Sequence, residues 1–183
     1  MICLATLFAV LPAAGDVVQT HYVKAPNTDP GDFFGSSVAI DGDTMVVGAP
    51  SEWGDATGVG GNPTGNGVQE SGAAYVYVRN GAAWDLQAYL KATNTGFQDY
   101  FGFAVAISED RIAVSAVGED SEATGVDGNQ AGGGAVDSGA VYVFKRSGTA
   151  WAFEAYVKPS NTDAFDFFGA SLALSGETLA VGA

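Results

Sequence analysis

The chain has 183 residues and a formal net charge of −14, from seven lysines and arginines against 21 aspartates and glutamates. So acidic a surface repels phosphate, which argues against a nucleic-acid partner. Cys3 is the only cysteine, so no intrachain disulfide forms, and 26 glycines among short Val, Ile, Ala, Phe and Tyr runs point to an all-β protein with many turns.

Residues 1–15 are an apolar run too short to span a membrane, and nothing else in the chain is a membrane-spanning candidate. The run resembles the apolar and cleavage regions of a secretory signal, although no basic residue precedes it. It is expected to be a signal peptide or the start of a fragment. Residues 16–33 are expected to hold the last, outer strand of a preceding unit, at 19–28, stopping at the Asx-turn pair Asn27-Thr28. After Phe34-Gly35, the runs Val38-Ala39-Ile40 and Met45-Val46-Val47 flank Asp41-Gly42-Asp43 and read as a β-hairpin. These strands are apolar at successive positions, as strands covered on both faces are. A Gly-rich loop at 51–72 follows, then a third strand at 71–79, the turn Asn80-Gly81, and an outer strand opened by Trp84.

The pattern then recurs. Gly35, Gly102 and Gly169 lie 67 residues apart, which divides the chain into units at 34–100 and 101–167 and the first hairpin of a truncated unit at 168–183. Even the long loop repeats: Glu52, Ala56-Thr57-Gly58-Val59 and Gly61-Asn62 return as Glu119, Ala123-Thr124-Gly125-Val126 and Gly128-Asn129. An ordered loop is therefore expected, with specific backbone conformations at its glycines. Four antiparallel strands per unit, repeated radially, make the blades of a β-propeller, so a propeller fragment is the expected architecture.

Phe34-Gly35 followed by Gly48-Ala49-Pro50 resembles the repeat of the FG-GAP proteins, the group that includes the integrin alpha-subunit propeller. The second copy keeps Phe101-Gly102 but reads Ser115-Ala116-Val117, and the third has Phe168-Gly169 and Gly182-Ala183. The resemblance covers residues 19–183 and is nearest to the short bacterial variety found in exported or surface proteins. It implies a blade ring completed by further copies. Many such blades bind calcium at the first hairpin, but Asp41-Gly42-Asp43 and Ser108-Glu109-Asp110 are too short to wrap an ion and read as tight turns.

Glu52, Asp55, Glu119, Asp120, Glu122 and Asp127, with Asn62 and Asn129, offer oxygen ligands in the long loops. The favoured reading of those carboxylates is solvated loop charge. Trp84, Trp151, the strand tyrosines and Phe34, Phe101 and Phe168 recur in phase and are expected to pack unit against unit. Trp53 does not recur, since Asp120 holds its place. His21 is the sole histidine, so no catalytic triad or His-rich metal set can be assembled. No catalytic residue, metal ligand or cofactor is assigned, and the ligand-binding residues stay open. The expectation is a non-enzymatic interaction or adhesion scaffold in a secreted or cell-surface protein. Its partners would be a protein or glycan on a surface and the remaining blades. The alternatives are the propeller of a secreted hydrolase or lyase whose active site lies elsewhere, or a purely structural surface element.

Overall fold

The structure, a computed structural model, describes residues 6–9 and 18–183. Its regular elements are all strands: β1 (Thr6–Ala9), β2 (Val18–Tyr22), β3 (Ser37–Asp41), β4 (Thr44–Ala49), β5 (Ala73–Asn80), β6 (Ala83–Leu90), β7 (Phe101–Ser108), β8 (Arg111–Ala116), β9 (Ala140–Ser147), β10 (Ala150–Val157), β11 (Ser171–Ser175) and β12 (Thr178–Gly182). Strands β3 to β6 form one four-stranded antiparallel meander and β7 to β10 a second, while β1–β2 and β11–β12 are two-stranded. The strand order expected from the repeat is the order found. Most of the apolar run at 1–15 lies outside the described residues, but Thr6–Ala9 within it pair antiparallel with β2. That segment, which resembles no part of the repeat, sits beside an outer strand as β5 sits beside β6.

The first hairpin is as tight as its sequence requires. Ile40 pairs with Met45 and Asp41 with Thr44, leaving Gly42 and Asp43 to turn the chain. Gly42 takes a φ of 55°, where the missing Cβ removes the usual clash, and Glu109 takes 53° in the second hairpin at a modest cost in strain. Strand β4 is buried along its whole length, which accounts for its unbroken apolar run. Strand β3 departs from the expectation. Val38 and Ile40 are exposed because no described sheet covers that side of it.

The two four-stranded sheets share a core in which Val46, Val76 and Leu90 meet Phe101, Val105 and Ile107. The other face of the first sheet buries Met45, Tyr75, Tyr77 and Tyr89 under Ala25 and Phe34. Phe34 meets Tyr75 edge-on at 5.4 Å between ring centroids, and Phe101 meets Tyr142 at the same 5.4 Å. Each aromatic buried in this way is worth about 1.5–3 kcal/mol, so the in-phase aromatics are packing residues. Trp151 spans the sheets through Nε1, which donates to Gln87 Oε1 at 2.7 Å.

A seam of small residues lets the sheets close. A Cβ on Gly48 would collide with the Ser37 hydroxyl and with the Gly102 carbonyl of the next sheet. Ser37 Oγ donates to that carbonyl at 2.8 Å. In the second sheet the roles are exchanged: Ala104 stands in the place of Ser37, and Ser115 Oγ accepts the Ala104 N–H at 2.9 Å. The third hairpin returns to Ser171 opposite Gly182. Each hairpin keeps one hydroxyl there, supplied from either strand. This explains why the second copy has Ser115 where the first has Gly48.

Candidate functional site

In an antiparallel meander, the second-to-third connection and the link to the next sheet emerge at the same end. That end carries the long loops at 50–72 and 117–139 and the linkers at 91–100 and 158–170. Backbone pairing orders both loops. Lys91 N donates to Gly58 O at 2.8 Å and Gly60 N to Tyr89 O at 2.9 Å; Lys158 N to Gly125 O and Asp127 N to Tyr156 O repeat this at 2.8 and 2.7 Å. The end of each loop is then strapped to the following linker, Tyr100 N donating to Glu70 O at 3.1 Å and Phe101 N to Ser71 O at 2.9 Å. Phe167 and Phe168 make the same bonds to Asp137 and Ser138 at 3.0 and 2.9 Å. The strap holds Tyr100 at a φ of 56° and Phe167 at 51°. That region costs a side-chain-bearing residue roughly 1–3 kcal/mol, and strain of this kind gathers at functional surfaces.

Beneath the loops lies a buried polar anchor that occurs twice. Glu52 Oε2 accepts Lys91 Nζ at 3.0 Å and Gly54 N at 2.8 Å, while Oε1 accepts Tyr89 OH at 3.0 Å and Asn27 Nδ2 at 3.1 Å. Lys91 Nζ also donates to Ser71 Oγ at 2.7 Å, and Tyr75 OH donates to Asn27 Oδ1 at 2.8 Å. In the second copy Lys158 Nζ donates to Glu119 Oε2 at 2.9 Å and to Ser138 Oγ at 2.6 Å, with Asn94 Nδ2 on Glu119 Oε1 at 3.0 Å. One exchange separates the copies: where the first has Gly54, the second has Ser121, whose hydroxyl stands between Tyr156 OH at 2.6 Å and Glu119.

Lysine, serine and carboxylate in contact are ingredients of an activated nucleophile. Here Lys91 and Ser71 are both 0 % exposed. No substrate reaches them, and the set serves to pin the loop to the sheet. Burial pulls the Lys91 ammonium below its usual range, against the opposing pull of Glu52.

The reading of Glu52 and Glu119 as solvated loop charge is therefore corrected. Each neutralises a lysine just past the end of the outer strand, 39 residues further along the chain. Glu52 has no free lone pair for a cation, and Glu119 is buried beneath its loop. Asp55 and Glu122 are exposed and lie against the return limb of their loops. A Cβ on Gly67 would come within 2.7 Å of Asp55 Oδ2, and one on Gly134 would overlap Glu122 Oε1. The repeated glycines divide the work: Gly67 and Gly134 make room for a carboxylate, while Gly58 and Gly125 take φ of 68° and 72°. Asp120 Oδ1 accepts Asp137 N at 2.8 Å, and Asp127 Oδ1 accepts Tyr156 N at 3.0 Å. In the first hairpin, Asp41 accepts Glu109 N and Asp43 pairs with Arg79. Among the described residues, no group of three metal-ligating side chains converges. Trp53 is half-exposed at the loop face, and His21 is tied to the Ala82 carbonyl.

Two further carboxylates escape a reading of the sequence. Asp32 and Asp99 precede the Phe-Gly pairs and are buried, each accepting a linker N–H, from Asp29 at 2.9 Å and Gly96 at 2.7 Å. Burial pushes Asp32 up to about 6, with Glu52 adding to it. Asp99 is pushed up to about 7, again by burial first, with Glu119 and Asp120 adding to it. The signal was present, because Asp32, Asp99 and Asp166 share the 67-residue spacing, as do Lys91 and Lys158.

Over this framework the loop face opens into an apolar depression of about 560 Å3, lined by Pro50, Tyr100, Phe103, Val117, Phe167 and Ala170, with Asp137 at its edge. Phe103 and Phe167 remain close to half-exposed in it. An open apolar hollow with fixed aromatic walls is suited to holding part of a ligand, and it contains no group placed for bond-making chemistry. No helix among the described residues is long and apolar enough to cross a membrane. The FG-GAP repeat model matches residues 17–77, 84–144 and 151–183, each match taking the outer strand of one sheet together with strands of the next. No curated protein matches the chain.

Proposed function

The chain belongs to the FG-GAP repeat family, and from that we propose that its sheets are blades of a β-propeller serving as a non-enzymatic interaction scaffold, exported or displayed at a cell surface. The observation that carries this reading is the doubled anchor beneath the loops. A buried Lys–Glu pair, with Ser, Asn and Tyr completing it, fixes each long loop to its sheet at both copies. Long loops held on rigid supports are the usual means by which a repeat scaffold presents a binding surface. Its partner would be a protein or a glycan on a surface, met by the loop face.

Support for export comes from the resemblance of residues 1–15 to a secretory signal and of the repeats to those of exported or surface proteins. N-terminal sequencing of the secreted protein tests it: a mature chain beginning after residue 15 indicates a cleaved leader, and one retaining Thr6–Ala9 indicates a strand kept with β2. The scaffold reading is tested by passing cell-surface extract over immobilised protein. Retention of a component by the wild type, but not by a variant altered at the loop face, is the expected result. Turnover of a hydrolase or lyase substrate by the chain would refute it.

A further inference from the structure

The charge of the molecule is divided unevenly between its two ends, and the apolar depression lies at the uncompensated one. Arg79, Arg111, Lys145 and Arg146 all lie toward the tight-hairpin end, each within 4.0 Å of a carboxylate. Lys91 and Lys158 are consumed inside the anchors. Of the basic side chains among the described residues, Lys24 alone remains near the loop end, stacked over Tyr22. The loop face meanwhile presents Asp55, Glu70, Asp120, Glu122, Asp127 and Asp137. Asp137 lines the depression, and Glu70 is held against its wall residue Tyr100. Glu70 Oε2 accepts Tyr100 OH at 3.2 Å, and Asp137 is bonded through its N–H to Asp120. Burial first, and the nearby Asp120 second, push the Asp137 carboxyl above the usual range, and an incoming cation favours its charged form.

We propose that this face docks a cationic protein segment, one that places an aliphatic or aromatic side chain in the depression among Tyr100, Phe103 and Phe167 and lysines or arginines against Glu70 and Asp137. The proposal deepens the scaffold reading and rests on it. The hollow supplies the apolar contact, and aromatic rims beside carboxylates favour cations carried on apolar stems. The field of the face speeds encounter with a basic partner and rejects an acidic one. A neutral glycan would gain nothing from that charge, and a second copy of so acidic a chain would be repelled by it.

The test uses the full chain and three synthetic peptides: one rich in arginine and leucine, its glutamate-for-arginine counterpart, and an arginine–glycine peptide without apolar anchors. Fluorescence anisotropy reads binding at low and high salt. The arginine–leucine peptide should bind, more weakly as salt rises, and the other two should bind at least about tenfold less tightly. Ala170→Trp fills the hollow from an exposed position and should weaken binding by about tenfold or more. Asp137→Asn and Glu70→Gln should each weaken it by about two- to fivefold, with an unchanged thermal melt as the control for folding. Equal binding of the acidic peptide, indifference to Ala170→Trp, or no binding of the arginine–leucine peptide overturns the proposal. A neutral glycan or acidic protein recovered from surface extract on this face also overturns it, while leaving the scaffold intact. An extract that yields nothing removes the scaffold reading itself.

Discussion

Lys91→Met deletes the cation that neutralises Glu52 at the centre of the first loop anchor and puts a side chain of similar length in its place. Three donors remain on the carboxylate afterwards, from Asn27, Tyr89 and Gly54 at 3.1, 3.0 and 2.8 Å. Breaking a buried ion pair by removing one partner costs about 3–5 kcal/mol, because the survivor is left charged and desolvated. With three neutral donors still in place the loss belongs at the lower end, about 3 kcal/mol. Glu52→Gln combined with Lys91→Met removes both charges, so the double variant should be more stable than the sum of the single changes implies, by at least about 1 kcal/mol. The loss should also depend on pH. An uncompensated carboxylate binds its proton more readily in the folded state than in the unfolded one, so the deficit is present at neutral pH and shrinks as the pH falls toward 4. Urea unfolding followed by tryptophan fluorescence, with a constant m-value, measures all of this. A loss under about 1 kcal/mol, or one unchanged between pH 4 and 8, would refute the account of the anchor.

The remaining predictions concern the seam and the buried polar positions. Burial pushes the Asp99 carboxyl from its ordinary value of 3.8 up to about 7. Stability tied to it is therefore full below pH 4 and lost as the pH rises through 7, by up to about 4 kcal/mol. Asp99→Asn keeps an acceptor for Gly96 N–H and should flatten that slope; an unchanged pH dependence would show that Asp99 is not its source. Gly54→Ser should be tolerated within about 1 kcal/mol. A Cβ there would lie 2.5 Å from Tyr89 OH, but Ser121 shows the hydroxyl accepting the displaced tyrosine, and a loss above about 2 kcal/mol would contradict that. Gly48→Ser should cost about 1–3 kcal/mol through overpacking at Ser37 and Gly102. Adding Ser37→Ala should return part of it, as Ala104 and Ser115 coexist in the second sheet, and a double variant no better than the single one would dismiss the exchange.

How much of this could be read in advance varied with the distance over which each feature is decided. The hairpin at Asp41–Thr44, the third strand and the tryptophan-led outer strands follow from neighbouring residues, and the repeat showed each pattern more than once. The packing role of Phe34 and Phe101 was legible for the same reason. That the loop glycines adopt specific conformations was legible, and Gly58 and Gly125 take positive φ; that Gly65, Gly67 and Gly134 make room for Asp55 and Glu122 was not, because those carboxylates come from the other limb of the loop.

By itself the sequence determined the all-β class, the four-strand unit and its 67-residue period, because turn chemistry, strand propensity and apolar patterning are local properties repeated in phase. The fate of the charges was left to the tertiary structure. Glu52 and Glu119 look like any loop carboxylates until the chain returns, 39 residues later, and sets Lys91 and Lys158 against them inside the protein. Asp99 looks equally ordinary until the second sheet closes over its linker. The apolar depression has no sequence signature, since Pro50, Tyr100, Val117 and Phe167 come from separate segments. Burial and convergence belong to the packed chain, and only once the sheets meet do they separate a structural carboxylate from a surface one.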